Sequence, residues 1–365
     1  MVIQTPLPGT HIKDLDTPCL IIDLDALDQN YRAVAKTYSN SLSKMRQHTK
    51  NIKSPLLARM QMEAGGSMGG ICTAKVSEAE VMVSSGITDI LIANQIVDHD
   101  KIIRLCSINK NADVKVCIDS EHNTRDISKI AQEQGVNIGV LIEVDTNMGR
   151  SGVRSTEQGV ALAKIANELP GVTFLGIMSH QHLPEFTNNE SRMLLAKACY
   201  DVCIDLKIAI EQAGISVKMI SSGETFSYDA AVETGEPIEV EGGSYALMGN
   251  TYNYMSEFKI ANKVLGTIVS TPKPNVAIGN VGKRALSWPG DDPSLEDMPG
   301  VTVDKLLDDH IVLKTTEPNR LQIGDTFLLL PFYQDMLINR WDKYIAVRGE
   351  LVQGVWDIPA RGCYH

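Results

Sequence analysis

Residues 45–55 carry a lysine in a setting where an amine could do chemistry. The segment contains Lys50 together with His48 and two further cations, Arg46 and Lys53. Partial desolvation and neighbouring cations lower the pKa of an amine, which a lysine that forms an imine requires. A solvated loop lysine without a special role is the ordinary alternative, and position alone favours it. The choice between these two hypotheses depends on other segments of the chain.

Three glycine-containing segments hold residues that could bind an anion. Residues 144–153 place Arg150 in a glycine-flanked loop. Residues 221–225 contain Ser222, Gly223, Glu224 and Thr225, and residues 242–245 contain Gly243, Ser244 and Tyr245. Backbone N–H groups and hydroxyls in such loops can approach a phosphate closely, although a tight turn is the commoner use of each loop alone. Together with Lys50 and Arg150, these loops favour a phosphate-bearing cofactor.

The elements that must position these residues alternate between strands and helices from about residue 19 to residue 254. Apolar runs predict strands over 19–23, 90–93, 114–118, 139–144, 173–178 and 217–221. Helical spacing of apolar residues predicts helices over 25–38, 76–85, 157–168 and 192–213. Continuous apolar strands that alternate with helices indicate an α/β fold with a parallel sheet covered on both faces. The number of units predicts a TIM-like (β/α)8 barrel over residues 20–255, and no Gly-x-Gly-x-x-Gly motif follows the first strand to favour a dinucleotide-binding sheet.

A barrel of this kind binds its ligands at the C-terminal ends of the strands. Lys50 falls near the expected end of the second strand. His180, Gln181 and His182 follow the strand predicted over 173–178. A histidine held only by hydrogen bonds in a polar loop is the alternative, but a strand end that faces the barrel mouth favours a functional role.

The pattern changes after residue 255. Strands are predicted over 264–271, 275–278, 310–314, 326–330, 343–347 and 350–356, with Pro- and Gly-containing turns between them. This predicts a mostly antiparallel β domain over residues 256–365, with residues 1–19 packed on it. Residues 287–300 are rich in Pro, Gly and Asp and are expected to form an exposed loop.

Composition excludes several classes of protein. The 365 residues are 43% hydrophobic with a formal net charge of −11, which predicts a globular protein and disfavours a nucleic-acid partner. No apolar run is long enough to span a bilayer, and the N-terminus lacks a basic start followed by an apolar stretch. The seven cysteines form no Cys-x-x-Cys pair and are expected to be buried reduced thiols of a cytoplasmic protein.

These motifs together resemble the fold-type III pyridoxal-phosphate enzymes, in the branch of D-threonine aldolase and D-serine dehydratase. The resemblance runs nearly end to end, from Asp-Thr-Pro at 16–18 to the segment 356–362. The family's Arg-Pro-His-x-Lys segment is similar to residues 46–50, with Gln47 in place of proline. Gly-Ile-Cys at 70–72 and Asp119 with His122-Asn123 are further matches.

The resemblance implies an alanine-racemase-type barrel in which Lys50 is the Schiff-base lysine for pyridoxal 5'-phosphate. The implied cofactor-binding residues are His48, Lys50, Arg150, His180, Gln181, Ser222, Gly223, Glu224, Thr225, Gly243, Ser244 and Tyr245. The implied activity is that of a lyase on a small D-3-hydroxy amino acid, of the D-threonine aldolase or D-serine/3-hydroxyaspartate dehydratase type. Both types use a divalent metal (Mn, Mg or Zn) to engage the β-hydroxyl. A homodimer is expected by the same analogy.

The chain departs from the family pattern at the substrate end. The family's metal pair is His-x-Asp or His-x-Cys, and here Tyr333 stands in the histidine position with Asp335 as the acidic residue. A neutral phenol is a poor metal ligand, so Asp335 is either a weak metal ligand or a solvated carboxylate. His180 stands near a tyrosine position of the family, and Asn280 replaces an aspartate. Asp308-Asp309-His310 resembles a family segment and would allow a rearranged metal site.

Two other functions stay open. An amino-acid racemase or epimerase of the same fold needs no metal, with Lys50, His180 and Tyr333 as the candidate catalytic residues. A non-catalytic pyridoxal-phosphate-binding protein is the third hypothesis, and the C-terminal β domain disfavours it.

Overall fold

The computed structural model describes residues 5–182, 188–286 and 290–365. Contacts between Cα atoms divide the chain into two compact units. The barrel unit contains Val34–Lys50, Pro55–Gly243 and Cys363–His365. The sheet unit contains Met1–Ala33, Asn51–Ser54 and Ser244–Gly362.

The strands, in chain order, are β1 (Cys19–Asp23), β2 (Lys44–His48), β3 (Ser67–Thr73), β4 (Asp89–Gln95), β5 (Asp113–Ile118), β6 (Ile138–Glu143), β7 (Val172–Ser179), β8 (Met219–Ser222), β9 (Ile238–Val240), β10 (Asn262–Lys273), β11 (Val276–Gly279), β12 (Ser294–Leu295), β13 (Val301–Leu306), β14 (Ile311–Thr315), β15 (Thr326–Leu330), β16 (Lys343–Arg348) and β17 (Leu351–Asp357). The helices are α1 (Leu24–Thr37), α2 (Pro55–Ala64), α3 (Val76–Ser84), α4 (His99–Asn109), α5 (Glu121–Gln134), α6 (Thr156–Glu168), α7 (Asn189–Gln212), α8 (Ala230–Glu233), α9 (Lys283–Leu286) and α10 (Gln334–Ile338).

Strands β2 to β9 form a closed parallel barrel, which confirms the predicted fold class. The barrel closes where β2 pairs with β9 through Lys44↔Glu239 and Met45↔Val240. Its interior contains a cluster of buried apolar side chains from successive strands: Cys72, Leu91, Ala93, Cys117, Leu141 and Met178. Because these strands are buried on both faces, they appear in the sequence as continuous apolar runs.

Helix boundaries on the barrel follow local capping chemistry. The side chain of Ser120 accepts a hydrogen bond from the N–H of Asn123 at the start of α5, and Gly135 ends that helix with φ of +68°. Ser155 and Asp98 accept equivalent bonds at the starts of α6 and α4. A side-chain acceptor at the first turn and a left-handed residue after the last turn satisfy backbone groups that the helix leaves unpaired.

Strand β1 forms where the sequence predicts it, but it is not a barrel strand. It pairs antiparallel with β10 and parallel with β16, inside the sheet unit. An apolar strand followed by an amphipathic helix looks the same in either sheet, so the local pattern could not assign its partners. The barrel therefore begins at β2, and Lys50 follows the first barrel strand instead of the second.

The sheet unit is mostly antiparallel, as predicted, with strand order β13-β14-β11-β10-β1-β16-β17. Strand β15 pairs with β10 and β12. Leu15, Cys19, Ile21, Leu265, Val347 and Val352 form a buried apolar cluster. The expectation of a plain loop over 287–300 needs correction, because Ser294–Leu295 pairs with β15 as a two-residue strand; residues 287–289 lie outside the described residues.

Across the described ranges, no helix combines the length and the apolar character needed to cross a membrane. The seven cysteines, which all lie in the described ranges, form no disulfide bonds with one another, and six of them are buried.

Candidate active site

The turn after β2 fixes the position of Lys50. His48, the last residue of β2, is buried, and its Nδ1 atom accepts the backbone N–H of Lys50 at 3.4 Å. The hydroxyl of Thr49 donates to the carbonyl of Cys72 at 3.0 Å, and the N–H of His48 donates to the carbonyl of Gly242 at 2.9 Å. The backbone around Lys50 is thus tied to two other strand ends, while the lysine side chain stays 27% exposed at the C-terminal mouth of the barrel.

Three ionisable side chains meet at this mouth. The Nζ atom of Lys50 lies 3.5 Å from Nε2 of His180 and 3.8 Å from Oε1 of Glu224. Nε2 of His180 and Oε1 of Glu224 are 2.5 Å apart. His180 follows β7 and Glu224 follows β8, so three different strands supply the cluster.

The charges in this cluster control the protonation of Glu224. Burial alone would raise the pKa of the Glu224 carboxyl. The positive charges of His180 and Lys50, the hydrogen bond to His180 and the charge of Arg150 outweigh burial and lower that pKa below its ordinary value. Glu224 is therefore ionised at neutral pH, and its carboxylate can only accept hydrogen bonds from the side chains beside it.

The loop that carries Glu224 depends on Gly223. Its φ of +103° lies in the left-handed region, and a Cβ atom at this position would come within 2.3 Å of the Tyr200 hydroxyl oxygen. The N–H of Glu224 then donates to Oγ of Ser227 at 3.0 Å, which starts a short 3-10 turn over Thr225–Ser227. A residue with a side chain at position 223 would disturb the approach of Glu224 to His180.

Ser222 and Gln181 contact each other beside this loop. The Ser222 hydroxyl lies 2.7 Å from Oγ of Ser179 and accepts Nε2–H of Gln181 at 3.2 Å. The side chain of Ser222 is therefore already hydrogen-bonded within the barrel unit. Within the described ranges, the buried Oε1 atom of Gln181 has no hydrogen-bond partner.

Arg150 lies in the loop after β6, where its side chain is 48% exposed. Its guanidinium is 3.6 Å from Oε1 of Glu143, and the other oxygen of Glu143 accepts a hydrogen bond from Gln95. Asp119 accepts the N–H of Gly152 at 3.0 Å and so holds the loop. The Asp119 motif that supports the family resemblance thus has a positioning role.

Glu241 is a buried acid that the sequence analysis missed. It directly follows β9, and its Oε1 atom accepts the hydroxyl of Ser221 at 2.7 Å. Burial raises the pKa of the Glu241 carboxyl to about 8, and the negative charges of Glu224 and Glu143 add to that effect against the Ser221 hydrogen bond and the charge of Arg46. An acidic residue immediately after a barrel strand was the signal that could have found it.

The sheet unit contains four of the candidate cofactor and metal residues: Ser244, Tyr245, Tyr333 and Asp335. The ring of Tyr245 is fully buried, with its centroid 6.2 Å from that of Tyr31 and 5.8 Å from that of Phe258, so only its backbone remains for a ligand. Oγ of Ser244 lies 3.1 Å from Nδ2 of Asn51. The Tyr333 hydroxyl donates to Oδ2 of Asp335 at 3.0 Å.

The residues in the predicted metal position do not fit a divalent metal. Asp335 accepts the Tyr333 hydroxyl at one oxygen and the amide of Asn51 at the other. Among the described residues, no group of three or more His, Cys, Asp or Glu side chains could hold a metal ion. Asn280, another departure from the family pattern, has a structural role, because it accepts the N–H of Thr267 at 2.8 Å and donates to Oγ1 of Thr17 at 2.9 Å.

The barrel residues do fit pyridoxal phosphate. Lys50 supplies an amine at the mouth, and the turn at Gly223 brings backbone close to it without a side chain. Nine buried side-chain polar atoms in the described part of the chain lack a hydrogen-bond partner, and three of them lie at or just after the C-terminal ends of barrel strands: Oγ1 of Thr73, Oε1 of Gln181 and Oε2 of Glu241. Buried polar groups are usually hydrogen-bonded. Buried polar atoms without partners at the C-terminal ends of barrel strands are therefore typical of a site for a polar ligand.

Comparisons with known proteins give the family. The model of the alanine racemase N-terminal domain matches residues 22–233, and the model of a serine dehydratase domain matches residues 261–347. The chain therefore belongs to the fold-type III pyridoxal-phosphate enzyme family with an alanine racemase N-terminal domain, which confirms the resemblance seen in the sequence.

Relatives match over almost the whole chain. The 3-hydroxy-D-aspartate aldolase of Paracoccus denitrificans (strain Pd 1222) is 33% identical, over 98% of this chain and 95% of its own. The D-threonine aldolase of an Arthrobacter species is 31% identical, over 97% of this chain and 95% of its own. The crystal structure of D-threonine aldolase from Filomicrobium marinum superposes with a TM-score of 0.93 at 29% identity, covering 99% of this chain and 100% of the other.

Proposed function

We propose that this chain is a pyridoxal-phosphate-dependent aldolase that cleaves a small D-3-hydroxy amino acid to glycine and an aldehyde. The observation that carries the proposal is the placement of the Lys50 amine within 4 Å of both His180 and an ionised Glu224. Whole-length similarity to proteins named as aldolases of D-threonine and 3-hydroxy-D-aspartate supports the reaction type.

Lys50 holds the cofactor through its amine in this proposal. Pyridoxal phosphate, when bound, withdraws electrons from the Cα atom of an amino acid attached to it. The chain's own residues would then have to hold and move a proton at the Lys50 amine. The proximity of His180 to the Lys50 amine makes His180 the candidate for holding the proton at this atom.

Glu224 orients His180. An ionised carboxylate can only accept hydrogen bonds, so the 2.5 Å contact places a hydrogen on Nε2 and fixes the orientation of the ring. The proton is then held 3.5 Å from Nζ of Lys50. Proton transfer by a positioned side chain contributes about 10²–10⁴-fold to the rate of such reactions. Glu224 acts through His180 and is a positioning residue.

The remaining barrel residues are proposed to bind the cofactor. His48 fixes the backbone of Lys50, and the segment Ser222–Thr225 places a glycine turn near the mouth. Gly243 follows β9 and places a second glycine-rich turn at the same rim. Arg150, half exposed beside Glu143, offers a guanidinium to an anionic group of the cofactor or substrate.

The test is purification of the holoenzyme with pyridoxal phosphate, followed by visible absorbance and product analysis. The wild type is expected to show the cofactor's visible band and to release glycine from D-threonine or D-3-hydroxyaspartate but not from the L-isomers. Lys50→Ala is expected to lose both properties. Lys129→Ala, an exposed helix lysine of the same unit, is the matched control and is expected to keep both.

The same assay separates the other hypotheses. Release of ammonia and a 2-oxo acid without glycine would indicate a dehydratase. Exchange and inversion at Cα without product release would indicate a racemase. A visible band with none of these reactions would indicate a non-catalytic binding protein. Each of these three outcomes contradicts the aldolase proposal.

We further propose a homodimer, which the resemblance to this enzyme family supports. Light scattering on the eluting holoenzyme tests it. The expected mass is about twice the 39.9 kDa of one chain, and a mass equal to that of one chain would contradict the proposal.

A further inference from the structure

The start of α10 places a tyrosine and an aspartate two residues apart in direct contact. The Tyr333 hydroxyl donates to Oδ2 of Asp335 at 3.0 Å. The amide nitrogen of Asn51, a residue of the same unit that is only 1% exposed, donates to Oδ1 of Asp335. Both oxygens of this carboxylate therefore accept hydrogen bonds from neutral donors.

The orientation of the Asn51 amide follows from its neighbours. An ionised carboxylate can only accept hydrogen bonds, so Asn51 must present its NH2 group to Asp335. The same NH2 group lies 3.1 Å from Oγ of Ser244, whose hydroxyl also accepts the hydroxyl of Tyr252 at 3.1 Å. The amide is thus held from two sides. Rotating it by half a turn would place the amide oxygen of Asn51 against Oδ1 of Asp335.

The two side chains that contact Asp335 present hydrogens to it instead of lone pairs. Tyr333 uses its hydroxyl hydrogen for this contact and Asn51 uses its NH2 group. A cation at Asp335 would compete with these two hydrogen bonds, and loss of the bond from Asn51 would take one acceptor from a buried amide. A histidine at position 333 would instead offer a neutral imidazole nitrogen, which is a good ligand for Mn²⁺ and Zn²⁺.

We infer that Tyr333, Asp335 and Asn51 form a hydrogen-bonded cluster in the place of a metal pair, and that this chain binds no divalent cation at Asp335. Residue 333 is the determinant of that property. The consequence for activity, turnover that is independent of added or removed divalent cations, rests on the proposed function.

Calorimetric titration of the chelator-treated holoenzyme with MnCl2 and ZnCl2 tests the inference without an activity assay. The wild type and Asp335→Asn are expected to give the same isotherm, with no stoichiometric binding that depends on residue 335. Tyr333→His is expected to bind one cation per chain at least ~100-fold more tightly than the wild type, and Asp335→Asn in that background is expected to abolish the gain. Tyr333→Phe removes the hydroxyl without adding a ligand and is expected to behave like the wild type.

Two outcomes would overturn the inference. One is stoichiometric binding by the wild type that Asp335→Asn removes. The other is a Tyr333→His protein with wild-type circular dichroism that gains no binding. A holoenzyme that cleaves no D-3-hydroxy amino acid would instead defeat the proposed function, and the titrations would still decide where the cation binds.

Discussion

The Nε2 atom of His180 lies 2.5 Å from Oε1 of Glu224, and both side chains are buried at the rim of the barrel. The two side chains depend on each other. Glu224 stays ionised despite its burial because of the positive charges of His180 and Lys50, and its carboxylate accepts a hydrogen bond from Nε2–H of His180. The fold thus pairs two residues that are far apart in the chain.

Replacing His180 by asparagine should slow turnover while the cofactor stays bound. We expect His180→Asn to lower kcat for glycine release by about 10²–10⁴-fold, because it removes the proton carrier beside Lys50. His182→Asn changes an exposed neighbour two residues further along and should leave kcat within a factor of two to three of wild type, a window set by ordinary surface effects. Equal losses in both variants would show that the loop as a whole matters and that His180 has no special role.

Replacing Gly223 by alanine should destabilise the barrel for two separable reasons. The left-handed φ costs about 1–3 kcal/mol for a residue with a side chain, and the added Cβ meets the Tyr200 hydroxyl. Gly135→Ala, at φ of +68° with nothing within 4 Å, reports the backbone cost alone. In urea denaturation we expect Gly223→Ala to lose more stability than Gly135→Ala.

Tyr200→Phe should recover part of the Gly223→Ala loss, because it removes the atom that the new Cβ meets. The two substitutions should then be less than additive in a double-mutant cycle. Strict additivity would contradict the predicted contact.

Glu241 should make the stability of the barrel fall with rising pH. Burial raises the pKa of its carboxyl to about 8 in the folded protein, above the ordinary value, so the folded state holds the proton more tightly than the unfolded state does. The stabilising contribution is complete below the unfolded pKa of about 4.3 and is lost as the pH rises toward 8. Between pH 5 and pH 7 the loss should be about 2–3 kcal/mol.

Urea denaturation of the wild type and Glu241→Gln at these two pH values measures that loss. The glutamine cannot ionise, so the variant should show a shallower dependence on pH than the wild type. Identical dependence in the two proteins would mean that Glu241 does not carry the raised pKa.

Arg46 should be essential for stability although it belongs to the segment that suggests catalysis. Its Nε atom lies 2.5 Å from Oε2 of Glu239 and its Nη1 atom lies 2.9 Å from Oδ1 of Asp89, so this buried side chain links β2 to β9 and β4. Arg46→Met leaves Glu239 buried without its partner and should cost about 3–5 kcal/mol. Arg125→Met breaks an exposed pair with Glu121 on α5 and should cost less than about 1 kcal/mol. A loss in Arg46→Met as small as in Arg125→Met would contradict the structural role.

The sequence predicted where the strands lie better than it predicted which strands pair. Apolar runs such as 114–118 and 139–144 located β5 and β6, because strands buried on both faces appear in the sequence as continuous apolar runs without alternating polar residues. Strand β3 contains two glycines and β9 only three residues, so neither has a local pattern that identifies it. The pairing of β1 with β10 and β16 depends on residues more than 200 positions away, which no local period reveals.

The candidate site was partly predictable for the same reason. The motifs and the family resemblance indicated Lys50, His180 and the loop at 222–225 as candidates, and the structure brings Lys50, His180 and Glu224 together. Glu241 was missed because a single acid after a short strand looks like a solvated loop residue. The substitution at Tyr333 was visible in the sequence, but its consequence required Asn51, which lies 284 positions from Asp335 and contacts it only in the fold.

The most direct test of the central claim is to find which lysine carries the cofactor. Reduction of the holoenzyme with borohydride fixes the cofactor on the lysine that holds it, and mass spectrometry of the peptides locates the modified residue. We predict one modified peptide per chain, with the pyridoxyl group on Lys50 and none on Lys53. Modification of another lysine, or a protein that loses its cofactor without any modified peptide, would contradict the assignment of Lys50 and with it the proposed function.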